Sequence, residues 1–237
     1  MIDVISTWKH SLMTVAHREK IATLSSFFKT GKGQYGEGDR FLGIYVPDNR
    51  RISVRYASQP LATIGIMLSS PEHEFRLAAL IALVKKFGNG TNEKQSKDIV
   101  DFYLKHAKYI NNWDLVDLSA PQILGQYQLL YSTLPVLEPL STSSDLWKRR
   151  MAIVATTTLI RAGQYELTKS ISAKYLSHPE DLIHKATGWM LREMGKRDEP
   201  ELIRFLDEYA AAMPRTALRY AIERLPPEMR KHYLSKH

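Results

Sequence analysis

The chain has 237 residues, no cysteine, a formal net charge of +8 and a hydrophobic fraction of 44%. That length suits one large domain or two small ones, and the apolar content is too high for a disordered chain. The missing cysteines exclude disulfides, thiolate zinc sites and cysteine nucleophiles and suit a reducing cytoplasm, while the basic balance favours anionic partners, nucleic acid before an anionic membrane.

Helical periodicity dominates from the start. Met1-Ile2-Asp3-Val4 is not a basic segment followed by an apolar run, so no secretory leader is expected. Val4, Ile5, Trp8, Leu12 and Val15, then Ile21, Leu24, Phe27 and Phe28, predict two helices or one broken helix over 3–29. Residues 31–56 change character: glycine-rich, then Phe41-Leu42-Gly43-Ile44, then Pro47-Asp48-Asn49. They predict a loop, a short segment and a turn. From Pro60 onward helices alternate with Pro, Gly, Ser and Asn breaks. Ser69-Ser70-Pro71-Glu72 predicts a capped helix start with proline near the first turn, and Ser143-Ser144-Asp145 predicts another before Leu146-Trp147. Leu118 to Leu137 carries no formal charge, but its prolines and glutamines make it a poor membrane span. No segment has the alternation of a strand ladder.

Several short motifs carry little weight. Gly31, Gly33 and Gly36 match G-x-G-x-x-G, but a dinucleotide site needs that turn between a strand and a helix, and here a helical segment precedes it. His10 and His17, and His178 and His184, lack the i, i+4 spacing and accompanying acid of a zinc helix. No nucleophile elbow and no Walker loop is present. No metal and no cofactor is expected.

The repeats are more informative. Phe75-Arg76-Leu77-Ala78-Ala79, Val116-Asp117-Leu118-Ser119-Ala120, Arg149-Arg150-Met151-Ala152-Ile153, His184-Lys185-Ala186-Thr187-Gly188 and Arg215-Thr216-Ala217-Leu218-Arg219 read as one helix written five times. Their second residues fall at 76, 117, 150, 185 and 216, in steps of 41, 33, 35 and 31. Such a period marks a helical-repeat solenoid, which predicts an all-α chain forming one continuous domain over 1–237. Stacking would set Arg76, Asp117, Arg150 and Lys185 as a ladder on a concave surface, with one carboxylate among cations.

Around that ladder the polar and aromatic residues gather. Trp113 and Asp117 are four apart and share a helix face, after the helix-starting Asn111-Asn112, while Asp114 points elsewhere. Trp189 follows Lys185 by four, and Arg192 follows Trp189 by three. Trp147-Lys148-Arg149-Arg150 opens a further helix, and Lys148, Arg149, Arg150, Lys185 and Arg192 are the candidate phosphate contacts, arginine for its planar two-donor fork. Taken singly, each tryptophan is as readily a core residue and each charge a solvated helix residue. Together on a concave wall they suit a charged polymer with sugar rings, that is, DNA.

These residues carry a resemblance. Gly36-Glu37-Gly38-Asp39-Arg40-Phe41-Leu42-Gly43-Ile44, Trp113-Asp114-Leu115-Val116-Asp117, Trp147 to Ile153, Lys185 to Glu193 and Arg219 to Pro226, in that order over nearly the whole chain, resemble the DNA alkylation repair (AlkD-like) glycosylases. The resemblance implies a HEAT-like helical-repeat fold with a concave DNA-binding face, and removal of N3- and N7-alkylated purines from duplex DNA without conventional base flipping. It implies that Asp117 is the catalytic aspartate, that Trp113 and Trp189 contact the damaged nucleotide's deoxyribose, and that Arg150 and Arg192 hold DNA backbone. The implied partner is double-stranded DNA carrying alkylated purines, with no membrane and no obligate protein partner, the protein acting as a monomer. The glycine-rich stretch 31–38 departs from the family form by its length.

The chemistry agrees with that resemblance. An alkylated purine cation leaves as a neutral base and needs little acid help, whereas the sugar's developing oxocarbenium ion needs a fixed carboxylate. Indole faces favour cationic sugar edges. One acid is then enough for a monofunctional hydrolase using water. Two alternatives stand beside it: a non-catalytic helical-repeat DNA-binding protein, and a helical scaffold for a protein partner. Steep weakening of binding by salt separates DNA from a protein partner.

Overall fold

The computed structural model of the chain describes residues 3–90, 92–131 and 135–236. Among these the regular structure is helical, with one isolated bridge between Arg40 and Glu72. No helix among the described residues is long and apolar enough to cross a membrane. Of the charge-free stretch 118–137, residues 132–134 lie outside the described residues. Two compact units are formed, Met1–Ser119 and Ala120–His237.

The first unit contains α1 (Val4–Met13), α2 (Ile21–Phe27), α3 (Val46–Ser53), α4 (Leu61–Leu68), α5 (His73–Gly88), α6 (Glu93–Lys105) and α7 (Trp113–Ala120), the last ending at the unit boundary. The apolar residues of 3–29 do form two helices, with Trp8 and Leu12 completely buried. Trp8 stacks on Tyr56 at 4.4 Å and donates its indole N–H to Ser53 Oγ at 3.2 Å. Ser53 donates to Asn49 Oδ1 at 2.9 Å, and Asn49 Nδ2 donates to the Glu74 carbonyl at 2.7 Å. A chain of satisfied buried polar groups thus ties α1 through α3 to α5. Pro47-Asp48-Asn49 is not a turn but the start of α3, because proline's fixed φ and missing N–H suit the first helical turn. The start of α5 also differs from expectation: Glu72 is the residue before the helix and makes no side-chain cap, and Ser70 donates instead to the Glu72 carboxylate at 2.6 Å. Residues 73–83 of α5 are buried on all sides, as a central helix requires.

The segment 39–44 is held by the first turn of α5. Glu74, 2% exposed, accepts from the amides of Leu42, Gly43 and Ile44 at 2.9–3.2 Å. The amide of His73 donates to the Arg40 carbonyl at 2.8 Å. Gly43 makes this turn possible: its φ is +83°, and a Cβ there would stand 2.1 Å from the His17 carbonyl oxygen.

The second unit contains α8 (Gln126–Leu130), α9 (Leu137–Ser141), α10 (Leu146–Arg161), α11 (Glu166–Lys174), α12 (Asp181–Gly195), α13 (Glu199–Tyr209), α14 (Arg215–Ala221) and α15 (Pro227–Ser235). Pro121–Gly125 takes a π-helical turn, and the Pro121 carbonyl accepts from Thr158 Oγ1 at 2.7 Å. As expected, Asp145 caps α10, accepting from the amides of Trp147 at 2.8 Å and Lys148 at 3.0 Å. α10 packs on α9, α11 and α12, and α12 packs on α13 and α14. Contacts between next-but-one helices are what a helical-repeat array is built from. At Gly188 an added Cβ would lie 2.4 Å from the Ala217 carbonyl oxygen and 2.5 Å from Tyr220 Cβ, so the close approach of α12 and α14 needs a glycine. The five quintets fall in α5, α7, α10, α12 and α14.

Candidate functional site

In the first unit the site is built on α7. Asn111 and Asn112 precede it, and Asn112 Oδ1 accepts from the Trp113 amide at 2.9 Å. Trp113 and Asp117 are both partly exposed, while Leu115, Val116, Ser119 and Ala120 turn inward. The inner side is pinned by Tyr103, whose hydroxyl is 2.8 Å from Ser119 Oγ. Burial drives the Tyr103 phenol well above its ordinary range; the Ser119 hydrogen bond opposes this, and the negative charge of Asp117 adds to it. Trp113 rests on aromatic rings from the end of α2 and the loop beyond. It stacks on Phe28 at 5.3 Å and meets Phe27 edge-on at 5.8 Å. Phe28 stacks in turn on Phe41 at 5.0 Å, and Phe41 on His73 at 4.6 Å. Phe27 itself is 60% exposed beside Trp113.

Below this stack lies an ionic network, buried at Asp39, His73 and Arg76 and partly exposed at Asp114. His73 Nδ1 is 3.0 Å from Asp39 Oδ2, and His73 Nε2 is 2.8 Å from Asp114 Oδ2. Arg76 donates to Asp39 Oδ1 at 2.6 Å and to the carbonyls of Ser70 and Pro71. Asn111 and Asn112 each donate to Asp39 at 3.2 Å. Burial works to lower the His73 imidazole. The hydrogen bond and charge of Asp114, then the hydrogen bond of Asp39, outweigh it and hold the ring up to about 9, against the repulsion of Arg76. For Asp39 burial works upward, and the His73 hydrogen bond with the Arg76 and His73 charges brings the carboxyl below its ordinary range. Arg76 therefore is not an exposed rung of a cationic wall; at 4% exposure it serves the network. Asp114 turns its carboxylate to His73.

In the second unit the basic candidates lie on α10 and α12. Trp147, Lys148 and Arg149 are partly buried in the first turn of α10, and Arg149 Nε donates to the Ser143 carbonyl. Arg150 is buried, and its NH1 donates to the Leu182 carbonyl at 2.7 Å, joining α10 to α12. Along α12, Lys185, Trp189 and Arg192 form one partly exposed stripe, with Ile183, Ala186, Thr187, Met190, Leu191 and Met194 buried behind it. Lys185 pairs with Asp181 at 2.8 Å, one turn earlier, and that hydrogen bond is the main cause of the lowered Asp181 carboxyl. Arg192 pairs with Glu223 and lies 3.7 Å from Glu193. These guanidinium and ammonium groups are thus already oriented by the fold. Among the described residues no three His, Asp or Glu side chains are grouped to hold a metal ion.

Sequence reasoning did not find Asp39, His73 and Arg76 as a unit. Its available signal was the i, i+3 pair His73 and Arg76 following the charged Glu37-Gly38-Asp39-Arg40 segment, but nothing in spacing says that residues 34 and 37 positions apart meet.

A model of the DNA alkylation repair enzyme family matches residues 8–225. A solved structure described as a predicted DNA alkylation repair enzyme from Enterococcus faecalis is similar in fold, with a TM-score of 0.70 and 20% identity, covering 90% of this chain and 97% of that one. No functionally curated protein is a significant match to this chain.

Proposed function

Because the chain belongs to the DNA alkylation repair enzyme family, we propose that it is a monofunctional DNA glycosylase releasing N3- and N7-alkylated purines from duplex DNA. The observation that carries this is Asp117: a partly exposed carboxylate one helical turn from Trp113, on a helix that a buried ionic network anchors. The alkylated purine bears a positive charge, so its C1′–N bond breaks with the electron pair leaving on a neutral base. Positive charge then develops on the sugar. Asp117 stabilises that cation and orients the water that adds at C1′, the water's proton passing to solvent or to the carboxylate. Trp113 and Trp189 offer indole faces to the deoxyribose. Rigid backing favours this role for Trp113, whose inner face is filled by Phe28. Arg192, Arg149, Lys148 and Lys185 contact phosphates; Arg150, buried and already donating to the Leu182 carbonyl, joins them only where that contact opens. Since Arg192 and Lys185 are paired with Glu223 and Asp181, phosphate must compete with those carboxylates for them. No base-holding pocket is invoked, because the leaving group needs no acid and extrusion into a pocket adds nothing to its departure.

The test is base release from duplexes carrying a single N7-methylguanine or N3-methyladenine. Free methylated base with an intact abasic site is the expected product, with no protein–DNA adduct trapped by borohydride. Failure to release either base would overturn the proposal, and a borohydride-trapped adduct would replace water with a lysine nucleophile.

A further inference from the structure

Resting on the glycosylase reading, we propose that Asp39, His73 and Asp114 form a buried positioning relay that fixes the first turn of α7, and with it Trp113 and Asp117, through an imidazole that donates from both nitrogens. The geometry is unusual for a merely packed core. The side chain of His73 is 2% exposed, and both of its ring nitrogens are taken by carboxylates, at 3.0 and 2.8 Å. Phe41 stacks on it at 4.6 Å and Phe28 packs against it, tilted, at 5.1 Å. A phenyl ring would fill that slot without desolvating any charge, and buried ion networks seldom add stability over apolar packing. What an apolar ring cannot supply is direction. The bond from His73 Nε2 to Asp114 Oδ2 fixes the rotation of α7 about its axis, and Asp117 is three residues on, within one turn. Asp39 is over-determined by Arg76, Asn111 and Asn112, so it is the fixed end of the relay. Asp114 is the dependent end: its other oxygen, Oδ1, is buried without a hydrogen-bond partner.

The relay needs the doubly protonated ring. The charged groups facing His73 are Asp39 from the loop before α3, Asp114 from α7 and Arg76 from its own helix. A neutral imidazole donates only once. Whichever nitrogen keeps its proton, the other then turns a lone pair toward a carboxylate, and either Asp114 or Asp39 is pushed away. Positioning should therefore fail as the pH rises through about 9, the value at which Asp114 and Asp39 together hold the ring.

Two readouts on the intact protein test this. The first is single-turnover base release at saturating DNA from pH 6 to 9.5, corrected for spontaneous loss, for the wild type and Asp114→Asn. Wild type should hold its rate to about pH 8 and lose it with a one-proton slope near 9. Asp114→Asn should be about tenfold or more slower at pH 7 with undiminished DNA affinity, and its falling limb should move toward neutral pH. A merely structural residue would lower the folded fraction, seen by thermal melting, without moving the limb. The second readout needs no substitution: the Trp113 indole N–H signal in wild type should titrate with the midpoint of the His73 ring nitrogens. Wild type that releases base, with Asp114→Asn matching it in rate and limb, would overturn the proposal. So would a Trp113 signal that ignores the His73 titration. Wild type that releases no base would overturn the glycosylase reading, and the Trp113 titration would still decide the relay.

Discussion

Replacing Glu74 by alanine removes the acceptor of three consecutive backbone amides, those of Leu42, Gly43 and Ile44. Hydrogen bonds to an ionised acceptor are worth about 1.5–3 kcal/mol each, and a buried donor left unmade costs about 1–3 kcal/mol. The three donors share one carboxylate, so the losses are not additive. Gly43 and Ile44 are buried, whereas Leu42 is only half-buried and water can reach it. The expected loss is therefore about 4 kcal/mol for Glu74→Ala, and about 2 kcal/mol for Glu74→Gln, which keeps one acceptor oxygen but turns an amide toward the Leu42 N–H. That is a large share of the roughly 5–15 kcal/mol available to a typical domain. Amide exchange reads the effect directly, since the amides of Leu42, Gly43 and Ile44 have Glu74 as acceptor. Exchange at those three sites should accelerate strongly in Glu74→Ala, and the urea midpoint should fall. Unchanged protection at 42–44, with a stability loss below about 1 kcal/mol, would refute the role given to this carboxylate.

Three further outcomes follow from the same structure. Gly43→Ala forces a side chain into a φ of +83° and against the His17 carbonyl at 2.1 Å; a loss of about 3 kcal/mol or more is expected, lowering Tm by about 6 °C or more, and an unchanged Tm would contradict it. His73, with a folded value of about 9 above the ordinary imidazole value of 6.5, contributes stability that is fully present below 6.5 and is lost as pH rises through about 9. Its size is about 3 kcal/mol, so the urea midpoint should decline between pH 6.5 and 9.5 in wild type and decline less in Asp114→Asn; a flat wild-type profile would contradict this. Arg192→Ala should weaken DNA binding across sequences and make the dependence of log affinity on log salt shallower by about 1; an unchanged slope in filter-binding or anisotropy titrations would remove Arg192 from the DNA contacts.

Legibility in the sequence followed the range of the interactions. The five repeated quintets land in five helices because each is an apolar face with 3.6-residue periodicity, a local property. The Asp145 cap and the shared face of Trp113 and Asp117 were readable for the same reason. Boundaries failed where two local signals competed. Proline before Asp48 reads equally as a turn or as a first helical turn, and Ser69-Ser70 offered a cap that the fold did not use because Glu72 and the Arg40 bridge set the start of α5. Arg76 was misjudged as an outward cation because its partner Asp39 lies in a glycine-rich loop with no periodicity to place it. The Asp39–His73–Asp114 network joins residues 34 and 41 positions apart, a tertiary fact that local patterning does not encode.

The most direct test of the central claim is single-turnover release of N7-methylguanine from duplex DNA by wild type and by Asp117→Asn, with DNA affinity measured alongside. A rate lower by about a hundredfold or more, with binding undiminished, is the expected result for a carboxylate that stabilises the sugar cation. Release by Asp117→Asn at the wild-type rate would contradict it and move the chemistry away from α7.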